Sequence, residues 1–220
     1  MITKGMYTIR ACTIAIGIAF LSACASMNQL DCHNADWHAV GLMDGTHGKT
    51  LNVYENYDRD CSKVHVTPDR RLYLEGRSEG LAVLCTKPQG YEFGREGGEY
   101  EYVCPRALEK AFLEGYRPGN RLYTSELLIK RIDDAIAKLT RSNRELQVDI
   151  DNLEFQMQEG SDNVGGQREK LEQIGMRKSE MARNQASIDD FIGKKDQAIV
   201  EYKLVIQANR VLGFPEEEKY

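Results

Sequence analysis

The chain has 220 residues, 29 Lys and Arg against 34 Asp and Glu, and a formal net charge of −5. Its mean hydropathy is −0.52. This excludes a multi-spanning membrane protein and a strongly basic nucleic-acid binder, so no nucleic-acid partner is expected, while a charged fraction of 29% suits a compact domain carrying an exposed helical extension.

In chain order, the first segment reads as an export signal. Lys4 and Arg10 precede an apolar run over residues 11–21. About 20 apolar residues are needed to span a bilayer, so this run is too short for a membrane helix and suits a signal peptide ending at residue 23. Leu21-Ser22-Ala23-Cys24 resembles a bacterial lipobox. Cys24 would then carry diacylglycerol on its thiol and a further acyl chain on its amine, and several chains together anchor a protein firmly. A plain signal peptide with an incidental cysteine is the alternative. Ala25 stands where such lipoproteins carry Asp for inner-membrane retention, which implies the outer membrane, facing the periplasm. Residues 24–31 would be the linker from the anchor.

Four further cysteines, Cys32, Cys61, Cys85 and Cys104, allow three pairings. An even number in an oxidising compartment favours disulfides, and the lack of any Cys-x-x-Cys pair speaks against zinc. Cys32 precedes an expected helix and Cys61 ends the next one, so an antiparallel hairpin would bring them together. Cys85 and Cys104 bracket one loop. The preferred pairing is therefore Cys32–Cys61 and Cys85–Cys104.

Between residues 32 and 120 the pattern predicts a small helical domain. Asn34 or Asp36 caps a helix over 36–44, which Gly45 and Gly48 break. A second helix covers 51–62. Thr67-Pro68-Asp69 starts a third with Thr67 as cap, running to about residue 84. Cys104-Pro105 opens a fourth, and Pro118 should kink or end it. An aromatic residue followed by Gly-x-x-x-Gly occurs three times, as Trp37 with Gly41 and Gly45, Tyr73 with Gly76 and Gly80, and Phe112 with Gly115 and Gly119. Glycine in a helix costs about 1 kcal/mol relative to alanine, so the repetition points to close helix crossing, with a glycine-lined ligand groove as the other reading.

In the loop 86–103, Tyr91, Phe93, Tyr100 and Tyr102 alternate around glycines, as a β-hairpin would. With Arg77 they are the ligand-binding candidates, since exposed aromatics beside charged groups can stack on sugar rings. His33, His38, His47 and His65 show no metal-ligand spacing, and no nucleophile elbow, phosphate loop or dinucleotide fingerprint is present. No catalytic residue, metal or cofactor is expected.

The order Asp31-Cys32, Asp36-Trp37, Gly41, Asp44-Gly45, Gly48, Cys61, Thr67-Pro68-Asp69, Tyr73, Gly76-Arg77, Gly80-Leu81, Cys85, Gly90-Tyr91, Gly94, Gly97, Tyr100, Val103-Cys104-Pro105, Phe112, Gly115-Tyr116 and Gly119 resembles a bacterial lipoprotein family with a domain of unknown function, DUF2799. The resemblance covers roughly residues 31–123. It brings no functional residue, because the family has no established activity.

From 121 to 212 two heptad seams follow. The first is Leu128, Ile132, Ala135, Leu139, Ser142, Leu146, Ile150, Leu153 and Met157. The second is Leu171, Ile174, Lys178, Met181, Gln185, Ile188, Ile192, Lys195, Ile199, Tyr202 and Ile206. Residues 159–166 break between them, and residues 213–220 form a tail. The expected fold is mainly α, a small disulfide-stapled helical domain followed by an antiparallel coiled-coil hairpin. The expected role is a non-enzymatic structural or adaptor protein of the bacterial envelope. It would be held to the membrane by Cys24 and would contact a protein partner, or itself, through the coiled coil. The alternative is a module binding an envelope glycan or small ligand through residues 86–103.

Overall fold

The computed structural model describes residues 27, 29–160, 163–214 and 216–220. The expected signal peptide and Cys24 lie outside them. The described residues form seven helices and no strand: α1 Gln29–Asn34, α2 Trp37–Thr46, α3 Asn52–Ser62, α4 Arg70–Leu84, α5 Lys87–Arg95, α6 Arg106–Gln158 and α7 Val164–Val211. They fall into two compact units, one holding α1 and α3 with residues 51–68, the other residues 36–50 and 69–220.

In the first unit the Cys32–Cys61 disulfide joins α1 to α3, with Cα atoms 5.4 Å apart. Tyr54, Tyr57 and Cys61 are the buried face of α3. The Tyr54 hydroxyl donates to the Pro68 carbonyl at 3.0 Å. A six-residue helix such as α1 is too short to persist unaided, so the disulfide is what holds it in place.

In the second unit the helix starts are chemically specified. Asp36 accepts from the N–H groups of His38 and Ala39, Thr86 from Gln89 and Asn163 from Gly166. The α4 cap is Asp69, whose carboxylate accepts from Leu72 N–H at 3.0 Å, and not Thr67. Asp is the stronger cap, and here it sits three residues before the N–H it serves. Gly45 does not break α2 but lies inside it. The turn comes at Gly48, whose φ of +68° is open to glycine without strain.

Two larger departures from the sequence pattern define this unit. Residues 87–95 are α5 and not a β-strand, with Gly90, Tyr91 and Gly94 buried. The aromatic alternation is incidental, because helix crossing, described below, overrides the low helix propensity of glycine. The other departure is at Pro118. Helix α6 runs unbroken through it for 53 residues, so the proline does not end the helix. A proline inside a helix costs roughly 3 kcal/mol. Pro118 and Gly119 are both buried, and the Asn209 side chain donates to the Pro118 carbonyl at 3.3 Å, so tertiary packing opposes that cost.

Helices α6 and α7 pack antiparallel as an arm. Its base is a cluster of Leu122, Ile129, Ile132, Ala198, Tyr202 and Ile206, with Phe191 and Ile199 against it. Polar pairs cross the seam further out: Asn184 to Asn143 at 2.9 Å, Lys195 to Asp133 at 2.7 Å and Arg177 to Asp149 at 3.4 Å. The seam departs from the expected one at several positions. Leu128, Leu171 and Ile192 are exposed, at 46%, 58% and 47%, while Ile129 is fully buried. Lys178 and Gln185 also face outward. The Asn143–Asn184 pair and Phe191 turn α7 by one residue relative to the heptad count, moving Gln185 and Ile192 out of the interface.

Candidate functional site

Four glycine pairs, not three, organise the domain. Each occupies the place where another helix comes too close for a side chain. A Cβ on Gly41 would strike the Tyr73 carbonyl, and one on Gly76 would strike the His38 carbonyl. Gly45 and Gly80 face the Arg77 and Leu42 carbonyls in the same reciprocal way. Helices α2 and α4 therefore cross in parallel, backbone against backbone. Gly90 faces Phe112, Gly115 faces Lys87, Gly94 faces Tyr116 and Gly119 faces Tyr91, so α5 and α6 repeat the crossing.

The two crossings are one structure twice. Gly41, Gly45 and Gly48 stand 49 residues before Gly90, Gly94 and Gly97, and Gly76 and Gly80 stand 39 before Gly115 and Gly119. Gly48 and Gly97 both take positive φ, +68° and +80°. The N–H after each bonds back across the turn, Lys49 to Asp44 and Gly98 to Phe93, both at 2.9 Å. The cysteines follow suit. Cys32 and Cys61 are 29 apart, Cys85 and Cys104 are 19 apart, and each separation is six less than that of the glycines it precedes. The sequence reading missed Gly90 and Gly94 because no aromatic stands three residues before them, where Lys87 does. The recurrence of Gly97 three residues on, as Gly48 follows Gly45, was the available signal.

The cores of the two halves differ chemically. In the first, Asp44 is 2% exposed. Its carboxylate accepts from the Tyr73 hydroxyl at 3.0 Å and pairs with Lys49 at 2.8 Å. Arg77 donates to the Lys49 carbonyl at 2.8 Å, and its Nε is buried without a hydrogen bond. In the second, the same places hold Phe93, Phe112 and Tyr116. Phe112 lies at ring-centroid distances of 5.9 Å from Phe93, 5.7 Å from Tyr116 and 4.7 Å from Tyr100. The Cys85–Cys104 disulfide is embedded in this cluster with Leu81 and Leu84.

A second polar constellation lies where α5, α6 and the end of α7 meet. Arg95 donates to both oxygens of Glu126, at 3.0 and 2.7 Å. Asn209, 2% exposed, donates to the Tyr91 oxygen and to the Pro118 carbonyl, both at 3.3 Å. The Tyr91 hydroxyl donates to Glu216 at 2.9 Å. Burial first, then the hydrogen bond to Glu216 and its charge, push the Tyr91 phenol well above its ordinary value of 10.0. Folding therefore favours the protonated phenol. The stability this gives is complete below pH 10.0 and is lost as pH rises beyond it, because the unfolded chain releases the proton first. Tyr91→Phe removes that contribution, so its loss of stability between pH 9 and pH 11, read by urea denaturation, is expected to be shallower than that of the unsubstituted chain. Equal slopes would contradict it.

The sequence-predicted ligand candidates do not share a face. Tyr91 is buried, Phe93 and Tyr100 pack on Phe112, Arg77 serves the Lys49 carbonyl, and Tyr102 alone of the five is well exposed, at 79%. Tyr100 accepts from the Cys104 N–H at 3.3 Å and donates to Glu109 at 3.2 Å. Cys32, Cys61, Cys85 and Cys104 are paired as expected. Asp44 reads from the sequence as an ordinary helix-surface acid and is instead buried, while Glu126, Asn209, Glu216 and Lys219 were not singled out. Among the described residues no group of three or more His, Cys, Asp or Glu is placed to hold a metal ion, and no helix is long and apolar enough to cross a membrane.

No curated protein and no solved structure matches the chain. A family model does, over residues 36–121. That stretch begins at the Asp36 cap of α2 and ends two residues past Gly119, so it contains both glycine crossings and stops where the arm begins. Residues 36–121 are similar to the family described as protein of unknown function (DUF2799).

Proposed function

We propose that the protein is a lipid-anchored envelope lipoprotein without enzymatic activity, whose helical arm binds a protein partner. The observation that carries this reading is the outer surface of the arm. Val148 and Phe155 on α6 are exposed at 54% and 61%, and Val164 and Leu171 on α7 at 85% and 58%. Leu204 and Val211, further along α7, are exposed at 59% and 88%. Each pair is seven residues apart and so lies on one helical face. Scattered exposed apolar residues are ordinary, but stripes at this spacing outside a completed seam mark an interaction surface. Near the arm's free end, Met157, Leu171 and Ile174 with Glu154 and Lys178 line a hollow of about 350 Å³.

The compartment rests on the lipobox-like sequence at Cys24 and is supported by the two disulfides, which suit an oxidising environment. The glycan reading has less support, since three of its four aromatic residues are engaged in packing.

In-cell photocrosslinking tests the arm. A photoreactive residue replaces Arg144 or Lys178, both on its surface. A discrete protein adduct is expected. It should vanish when the exposed Phe155 and Leu171 are both replaced, as Phe155→Glu/Leu171→Glu, with the photoreactive residue kept in place. Adducts of the chain with itself alone, or none, would overturn partner binding by the arm.

A further inference from the structure

We infer that the groove between α5, the first part of α6 and the end of α7 is a peptide-binding site for an extended segment bearing an aromatic residue followed by glutamates. The chain's own Phe214 and residues 216–220 are its resident occupant. This is independent of the arm's outer surface.

The described part of that segment has neither helix nor strand, yet almost every residue of it is met by a specific group. The Phe214 ring stacks on Tyr91 with centroids 4.0 Å apart and planes within 3°, and the Lys87 ammonium lies 5.0 Å from its centroid. Glu216 accepts from Tyr91 at 2.9 Å and pairs with Arg95 Nε at 3.4 Å. The Tyr202 hydroxyl reads the main chain in both senses, donating to the Glu217 carbonyl at 3.4 Å and accepting from Lys219 N–H at 3.0 Å. Lys219 reaches Glu126 at 2.9 Å, and Tyr220 meets Tyr202 edge-on at 5.4 Å. Arg210 donates to the Glu216 carbonyl at 3.1 Å and pairs with Glu218 at 3.6 Å.

Two features make this a site and not a tail lying on a surface. Its floor is assembled without the occupant, because Arg95–Glu126 and Asn209 with Tyr91 and Pro118 bond to one another. Arg95 Nε is buried and makes no hydrogen bond, so the guanidinium keeps one edge turned to an incoming carboxylate. Beside the end of the segment lies a hollow of about 450 Å³, lined by Tyr123, Glu126, Leu127 and Lys130 together with the occupant's own Lys219 and Tyr220.

A tethered occupant acts at an effective concentration in the millimolar range, so a free peptide of the same chemistry competes poorly while the strap is whole. The test uses a fluorescent synthetic peptide of residues 211–220 and reads anisotropy. It is expected to bind a chain lacking 213–220 at least about tenfold more tightly than the intact chain. The same peptide carrying Phe214→Ala or Glu216→Lys should lose that binding. Failure to bind a truncated chain that melts cooperatively, or equal binding by both chains, overturns the inference. Should truncation prevent folding, the full-length Phe214→Ala/Glu216→Ala chain takes its place. It should bind the unsubstituted peptide where the intact chain does not, and no gain there also overturns the inference.

Discussion

Gly115→Ala is expected to destabilise the protein by more than about 3 kcal/mol, beyond the usual range for overpacking. The added methyl would meet the Lys87 carbonyl and the Tyr91 amide at under 3.0 Å. Both belong to the backbone, so no rotamer change relieves the clash, and α5 must move off α6. That movement also loosens Phe112 from Phe93 and Tyr100. Gly41→Ala and Gly76→Ala should behave alike in the α2–α4 crossing, where the opposing atoms are again carbonyls. Gly175→Ala and Gly193→Ala supply the contrast, because nothing lies within 4 Å of a methyl at either place. There the helix propensity of alanine acts alone, and each should stabilise by about 0.5–1 kcal/mol. Urea denaturation measures all five. A Gly115→Ala chain as stable as the unsubstituted one would refute the close crossing.

The second large effect concerns the disulfides, which should fail differently. Cys85→Ser/Cys104→Ser removes a cross-link spanning 19 residues, and loop-closure entropy puts the loss at about 3 kcal/mol. Because that bridge sits among Leu81, Leu84 and Phe112, the loss should appear as a lower melting temperature of the main unit. Cys32→Ser/Cys61→Ser spans 29 residues and forfeits a similar amount. It belongs to the small unit of α1 and α3. Hydrogen exchange should show amides of 52–62 losing protection while those of α6 and α7 keep theirs. Uniform loss of protection along the chain would contradict this.

Local pattern carried much of the architecture. Even cysteine number, capping residues and 3–4 spacing are short-range signals, and they revealed the disulfide framework, the helices and the arm. The disulfide reasoning reached the right pairs, but the helix that α2 packs on is α4, which follows α3 in the chain. Parallel crossing of helices separated by a third helix leaves no local trace. At 87–95 local propensity misled, because glycine and alternating aromatics resemble a strand until the opposing backbone of α6 is considered. Pro118 misled likewise, for its packing comes from Tyr91 and Asn209, distant in sequence. The seam register was ambiguous by one residue, and the Asn143–Asn184 bond settles it. The strap groove was the least legible. Glu216 and Lys219 look like any solvated tail, and the groups they meet lie 125 and 93 residues away.

Helix α6 serves two masters. Its first turns are locked into a glycine crossing where carbonyls touch, and its remaining turns form half of the arm. At 1.5 Å per residue its 53 residues extend about 80 Å. A load applied at the free end therefore arrives at Gly115 and Gly119 as a bending moment, multiplied by the roughly 60 Å of helix between them and Gln158. With no loop to absorb the swing, the crossing has to resist the torque or slip. Mechanical pull or drag on the distal turns is thus coupled to the integrity of the domain, as a strain gauge is coupled to the beam it is fixed on.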